Sequence, residues 1–415
     1  MALEGRLHVK IRANRDLNSR FARGRLPIVI PRILQQELLT QLGEFPIVTV
    51  LGPRQAGKTT LARASLPDFE YVTLEDPETL AIATEDPRGF LARRQERVIF
   101  DEIQRAPHLL SYIQGIVDET GANGRFVLTG SHQLELREAV SQSLAGRTGL
   151  LFLMPLSIPE LEAAGIRFDS FEEYLIHGFL PRVHAQSQRP RVAYASYYKT
   201  YVERDVRQLI QLKNATLFEK FIKLLAGRTG QLINYTSLGN DVGINAKTVH
   251  HWLSILEASF VVFKLPPYFK NFGKRVTKSP KYYFTDPGLL CYLLGLEEPA
   301  QVTRDPLVGS LFENLVVLEA LKARLNQARV PGLSFFRDSH GNEIDLLLDS
   351  KRTLTGVEIK SSATYHSTFK KNLLRFRENT HPLERAAIVY NGEPQTFSDG
   401  IEALPMTRTH ELFES

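Results

Sequence analysis

Residues 51–60 read Leu51-Gly52-Pro53-Arg54-Gln55-Ala56-Gly57-Lys58-Thr59-Thr60, and this run constrains the fold more than any other. It fits G-x-x-x-x-G-K-[ST] through Gly52, Gly57, Lys58 and Thr59, the loop that wraps nucleotide phosphates. Glycines let successive backbone N–H groups turn inward on an anion, and the helix that follows adds its positive end. The loop therefore needs a strand before it and a helix after it. Pro46-Ile47-Val48-Thr49-Val50-Leu51 is apolar and β-branched, as a buried strand should be, and Lys58 to Ser65 reads as a helix stopped near Pro67. An α/β fold with a parallel sheet is the expectation. The stretch Gly52 to Thr60 would bind ATP, with Lys58 bridging β- and γ-phosphates and Thr59 holding Mg²⁺.

A second acidic element completes that chemistry. Arg97-Val98-Ile99-Phe100-Asp101-Glu102 is an apolar strand ending in two acids. Asp101 would hold the metal and Glu102 would deprotonate the attacking water. Alone, a strand ending in Asp-Glu is equally a helix-capping arrangement. One further strand, Phe69 to Leu74, and a helical stretch, Pro77 to Arg94, lie between the two elements. Another strand, Arg125 to Ser131, ends in small polar residues.

These stretches together resemble a bacterial and archaeal family of AAA+ ATPases that carry a C-terminal domain of unknown function. The likeness rests on Gly52 to Thr60, Phe100-Asp101-Glu102-Ile103-Gln104, Leu128-Thr129-Gly130-Ser131 and Ser143-Leu144-Ala145-Gly146-Arg147. Pro155-Leu156-Ser157, Gly178-Phe179-Leu180-Pro181 and Tyr201-Val202-Glu203-Arg204-Asp205-Val206 extend it. The resemblance implies nucleotide hydrolysis. It also implies a sensor at Ser131 or Thr129, and an arginine, Arg147 before the weaker Arg137, that acts on a neighbouring subunit's nucleotide. A homo-oligomer, by analogy a hexamer, would follow. Arg204 would be a lid contact to nucleotide or simply a solvated residue.

The middle of the chain adds a different pattern. Phe171 to Ile176 and Val192 to Leu212 read as lid helices. Thr236 to Val242 reads as a short helix, and Asn245 would cap a longer one to Glu257. Val249, Trp252, Leu253 and Leu256 recur at helical spacing and would face the core, leaving Lys247, Thr248, His250 and His251 outward. Strands Phe260 to Leu265 and Lys281 to Phe284 follow, with Lys270, Lys274, Arg275 and Lys278 between them. A helix-turn-helix followed by a basic hairpin reads as a winged helix, suited to DNA phosphates or to a protein partner.

In the last third, Leu307 to Leu325 reads as a helix containing Glu313, ahead of strands Leu333 to Arg337, Glu343 to Leu348 and Leu354 to Lys360. Asp345 followed by Glu358-x-Lys360 resembles the PD-(D/E)xK core of restriction-endonuclease-like folds. Glu313, Asp345 and Glu358 would bind Mg²⁺, and Lys360 would steady the developing charge. The alternative is a salt-bridge cluster on a retired nuclease fold.

The expected organisation is a basic tail (1–25), an AAA+ core (26–165), a helical lid (166–225), a winged helix (226–290) and a nuclease-like domain (291–415). A net charge of +5 over 415 residues permits an acidic partner without requiring one. The single cysteine, Cys291, excludes an intramolecular disulfide and fits a reducing cytoplasm. No apolar run approaches a membrane span, and the N-terminus has no apolar signal core. The expected activity is an ATPase that binds or processes DNA. A regulatory switch docking a protein partner is the alternative.

Overall fold

The computed structural model describes residues 29–94, 96–131, 144–209, 215–268, 279–350, 353–379 and 382–414. The basic tail, most of the expected helix from Leu134 with Arg137, and Lys270, Lys274, Arg275 and Lys278 lie outside these residues.

Five parallel strands form the first sheet: β1 (Ile47–Leu51), β2 (Glu70–Thr73), β3 (Val98–Asp101), β4 (Phe126–Gly130) and β5 (Thr148–Phe152). They lie in the order β2-β3-β4-β1-β5. Strands β1, β3 and β4 are buried along their whole length, which explains why they read as continuous apolar runs without alternation. Strand β4 comes later in the sequence but lies between β1 and β3. Its end therefore stands between the phosphate loop and the acidic pair. The helix Lys58–Ser65 leaves the loop as expected. The stretch Pro77 to Arg94 is two helices, Pro77–Glu85 and Pro87–Ala92, because Asp86 caps the second and a proline follows it.

The lid region differs from the expected continuous helix. Pro190–Tyr197 is α-helical, but Tyr198–Val206 widens into a π-helix before the short turn Arg207–Leu209. Three helices, Ala215–Ala226, Tyr235–Val242 and Ala246–Ala258, then precede a two-stranded antiparallel ladder, β6 (Val262–Leu265) with β7 (Lys281–Phe284). Asn245 caps the third helix by accepting from Thr248 N at 2.8 Å, and Val249, Trp252, Leu253 and Leu256 are buried, as the spacing predicts.

The C-terminal sheet is mixed and six-stranded, in the order β12-β13-β11-β10-β9-β8. Its strands are β8 (Leu333–Arg337), β9 (Glu343–Ser350), β10 (Thr353–Lys360), β11 (Arg385–Tyr390), β12 (Gln395–Thr396) and β13 (Ile401–Pro405). The helix Val308–Leu325 is buried on nearly every side, including Glu319 and Lys322. It packs against β7 and β10. Lys322 Nζ donates to Leu156 O at 2.8 Å and Glu319 accepts from Ile158 N at 2.9 Å, so a helix of the C-terminal part is bonded into the first domain.

Candidate nucleotide site and a second carboxylate cluster

The loop after β1 works because of two glycines. A Cβ on Gly52 would stand 2.0 Å from Leu153 O of the neighbouring strand, so no side chain fits there. Gly57 has φ 94°, a left-handed conformation that starts the helix Lys58–Ser65. The Lys58 ammonium is buried and donates to the Gly52 and Pro53 carbonyls at 3.0 and 2.9 Å. Burial holds it below the usual lysine range, partly opposed by Glu102 and Asp101. Among the described residues it has no ion-pair partner. An anion in the loop would meet an unpaired positive charge.

Asp101 is the hub of the opposite wall. Thr59 Oγ1 donates to both its carboxylate oxygens at 3.0 Å, and Tyr71 OH donates at 2.8 Å. Thr129 Oγ1 also donates to Asp101, while accepting from Glu102 N at 3.2 Å. Glu102 has φ 57°, a strained left-handed conformation for a non-glycine residue, and its side chain leaves the Asp101 hub. Ser131 Oγ donates to it at 3.0 Å and Gln104 Nε2 bonds to it as well. The structure thus brings Lys58, Thr59, Asp101, Glu102 and Ser131 together, and it separates the two acids into different hydrogen-bond sets.

Arg54, Gln55, Gly57, Lys58, Thr59, Thr60 and Glu102 line one cavity of about 620 Å³, with Val29, Ile30 and Pro181 on its far side. That volume suits a small-molecule ligand. A hydroxyl and a carboxylate already 3.0 Å apart, Thr59 and Asp101, are the hard oxygen donors that Mg²⁺ takes, so these residues fit the metal. Arg147 opens β5, at the opposite end of the sheet from its own loop, and pairs with Asp118 at 2.5 and 2.9 Å. It does not reach Lys58 of its own chain. Arg204 is exposed and pairs with Asp205 at 2.8 Å.

Several residues of this site escape sequence reasoning. Arg32 is buried under the loop, donating to Ala56 O and Met154 O, both at 2.6 Å, and to Glu160 at 3.0 Å. Glu160 also accepts from Ile33 N and Ser157 N, both at 2.9 Å. Arg182, one residue beyond Gly178-Phe179-Leu180-Pro181, is exposed at the cavity wall, and no ion partner is seen for it among the described residues. The only signals for Arg32 and Arg182 were an isolated Pro-Arg in each case. Tyr71 was hidden in the alternation of β2. Burial and its bond to Asp101 push its phenol up to about 12, so it stays a donor.

The second cluster is less like its expectation. Strand β9 lies antiparallel to β10, with Val357 opposite Leu346, so Glu358 faces Asp345. Lys360 Nζ lies 2.8 Å from Glu358 and 3.2 Å from Asp345, and Ile359 N donates to Asp345 at 2.8 Å. Asp345, Glu358 and Lys360 do converge. Glu358 is nearly fully buried. Burial, with Asp345 next, raises its carboxyl to about 8 despite Lys360. Glu313 lies close enough for the Asp345 charge to act on its carboxyl. It binds Lys281 Nζ at 3.0 Å and Tyr283 OH at 2.5 Å, both from β7. Lys281 binds Glu343 as well, at 2.7 Å. Among the described residues no three carboxylate, imidazole or thiol groups are grouped to hold a metal ion. Lys360 thus bridges the Asp345 and Glu358 carboxyl groups, while Glu313 is held beside them by Lys281 and Tyr283.

A parallel sheet ordered β2-β3-β4-β1-β5, a glycine-built loop and a split acidic pair define a P-loop nucleotide-binding protein of the AAA type. Comparison with known proteins agrees. The profile described as AAA domain matches residues 44–162, and two domains of unknown function, DUF8612 and DUF4143, match 168–300 and 308–409. An uncharacterised Mycobacterium tuberculosis protein, Rv2008c, is 32% identical over 401 residues, covering 95% of this chain and 87% of its own. An uncharacterised Haemophilus influenzae protein is 23% identical over 409 residues, covering 90% and 97%. The chain belongs to the family of the mycobacterial protein. Among solved structures, the Walker-type ATPase PABY2304 of Pyrococcus abyssi aligns with TM-score 0.45 and 14% identity, over 64% of this chain and 96% of that one. The RuvB Holliday junction branch migration motor of Thermotoga maritima aligns with TM-score 0.26 and 17% identity, over 56% and 89%. Among the described residues no helix is long and apolar enough to cross a membrane.

Proposed function

We propose that this chain hydrolyses ATP with Mg²⁺ as a homo-oligomer and that its appended domains act on DNA. One observation carries the ATPase reading: Lys58, Thr59 and Glu102 line a single cavity, with Asp101 bonded to Thr59 and Ser131 to Glu102 behind its wall, so that the two acids have different partners. Lys58 and the loop amides bind the phosphates. Thr59 and Asp101 would hold Mg²⁺, which when bound neutralises phosphate charge. Glu102, oriented by Ser131 and Gln104, takes the proton from the attacking water. Arg147 works on a neighbouring copy, since its own loop lies at the other end of the sheet. Steady-state phosphate release by the full chain with ATP and Mg²⁺ tests this, with Glu102→Gln as the control that should bind ATP without turning it over.

The DNA reading rests on the capped helix Ala246–Ala258, the hairpin after it, and the Asp345–Glu358–Lys360 group. Binding to duplex and branched DNA at low salt, with ATP turnover stimulated by DNA, is the expected outcome. A second reading, a regulatory ATPase with a retired nuclease fold, is favoured by two contacts: Lys360 is bonded to both Asp345 and Glu358, and Lys281 with Tyr283 occupies Glu313. Digestion of linear and branched DNA with Mg²⁺ or Mn²⁺, comparing wild type with Asp345→Asn, separates the two. Cutting lost in the variant supports a live nuclease, and no cutting by wild type supports the regulatory reading.

A further inference from the structure

The motif Tyr201-Val202-Glu203-Arg204-Asp205-Val206 has no part in the chemistry described so far, yet it touches the phosphate loop. Arg54, two residues after Gly52, places its guanidinium 2.6 Å from Asp205 and over the Tyr201 ring, 5.9 Å from its centroid. Tyr201 and Asp205 both lie on the π-helix Tyr198–Val206, an irregularity that tends to mark functional positions. Tyr201 is fully buried and its hydroxyl donates to Ser259 O at 2.5 Å, which fixes the ring. Asp205 is mostly buried, whereas the Arg54 side chain is about a third exposed. Arg54 is therefore the movable member of the group.

Its position says what it would move toward. Arg54 lines the same cavity as Lys58, Thr59 and Glu102. Lys58 Nζ is bonded to Pro53 O, so Arg54 begins immediately beside the ammonium that bridges β- and γ-phosphates. Fields of Arg54 and Glu102 both act on Tyr201, whose phenol is raised chiefly by burial, so loop arginine, lid tyrosine and water-activating acid share one polar space. A guanidinium binds carboxylate and phosphate through the same fork of donors, and a terminal phosphate carries more charge than Asp205.

We propose that Asp205 and the γ-phosphate compete for Arg54, making Arg54 the residue that distinguishes a nucleoside triphosphate from a diphosphate. With no γ-phosphate the guanidinium stays on Asp205 and ties the lid to the loop. With a triphosphate it turns to the terminal phosphate and releases the π-helix. This rests on the ATP-binding reading above and adds to it a discriminating contact and a conformational consequence.

The test uses the full chain with Mg²⁺, measuring affinities for a non-hydrolysable ATP analogue and for ADP by displacement of a fluorescent nucleotide. Arg54→Ala should weaken the triphosphate analogue by about tenfold or more and leave ADP within about twofold. Asp205→Asn should tighten the analogue several-fold, again without moving ADP. Unchanged ADP affinity also reports that each variant is folded, and Arg54→Lys should recover only part of the lost affinity. Equal weakening of both nucleotides in Arg54→Ala overturns the proposal, as does weaker analogue binding in Asp205→Asn, which would make Asp205 a mere support. Wild type that binds neither nucleotide overturns the ATP reading together with this one; wild type that binds both, with variants that still discriminate normally, overturns this one alone.

Discussion

Two of the lysine–carboxylate groups at strand ends are arranged in opposite ways. At the phosphate loop, Lys58 is turned onto backbone carbonyls, and Asp101 and Glu102 are satisfied by Thr59, Tyr71, Thr129, Ser131 and Gln104. At β9 and β10, Lys360 lies directly on both Asp345 and Glu358. The first keeps its charges apart by spending neutral hydroxyls and carbonyls on them, so charge remains for a ligand. The second has cancelled its charges internally, and an incoming cation must displace Lys360. Neighbouring acids and a lysine are thus insufficient to define a reactive site. What the charges are already bonded to decides.

The largest expected contrast between the two regions is in ATP turnover. Glu102→Gln should lower it by about 10³-fold, the loss typical of a missing general base. Glu358→Gln should change it less than twofold. Equal losses in phosphate-release assays would dissolve the distinction. Next is Arg32→Ala, which removes a buried cation from Glu160 and two carbonyls beneath the loop. About 3–5 kcal/mol of stability should be lost, read from urea unfolding. A cost under 1 kcal/mol would mean the loop does not lean on that pair.

Acidification should affect the ATP-binding side by a smaller amount. His184, two residues beyond Arg182, bonds Gly178 O at 2.8 Å, and burial lowers its imidazole to about 4. Its folded value lies below the unfolded one, so its contribution is complete above pH 6.5 and disappears as pH falls toward 4. The loss is on the order of 2–3 kcal/mol. Melting temperatures from pH 7.5 to 4.5 should fall, and His184→Gln should flatten that slope. The smallest effect belongs to the partly exposed lysine of the second cluster. Lys360→Met should cost about 1–2 kcal/mol, less than a fully buried pair because water reaches its ammonium. A stabilised variant would instead show that the two carboxylates repel less than their proximity implies.

How far the sequence could be read depended on whether the relevant partners were local. The loop, its flanking strand and helix, the acidic strand end and the Asn245 cap all use neighbours within a few residues, so pattern alone found them. Asp345, Glu358 and Lys360 were found through a resemblance to a nuclease core, in which Glu358 and Lys360 stand two apart on one strand. The partners of Glu313, Lys281 and Tyr283, come from a distant hairpin, so nothing near it in the sequence announced them. Charge singled out Arg204 in the sequence, with a solvated residue as the other reading, and it is the residue beside it, Asp205, that meets the loop. The π-helix shifted that face, and no periodicity announces such a widening.

By itself the sequence determined that a phosphate loop stands between a buried strand and a helix, because glycine positions and apolar runs are properties of adjacent residues. Tertiary structure alone decided which charges are free. Arg32 beneath the loop, Arg54 on Asp205 and Lys281 on Glu313 are pairings across more than 20 positions, set by how sheets and helices close around one another. A charged side chain lowers its free energy by finding any partner within reach, and reach is fixed only once the backbone has folded.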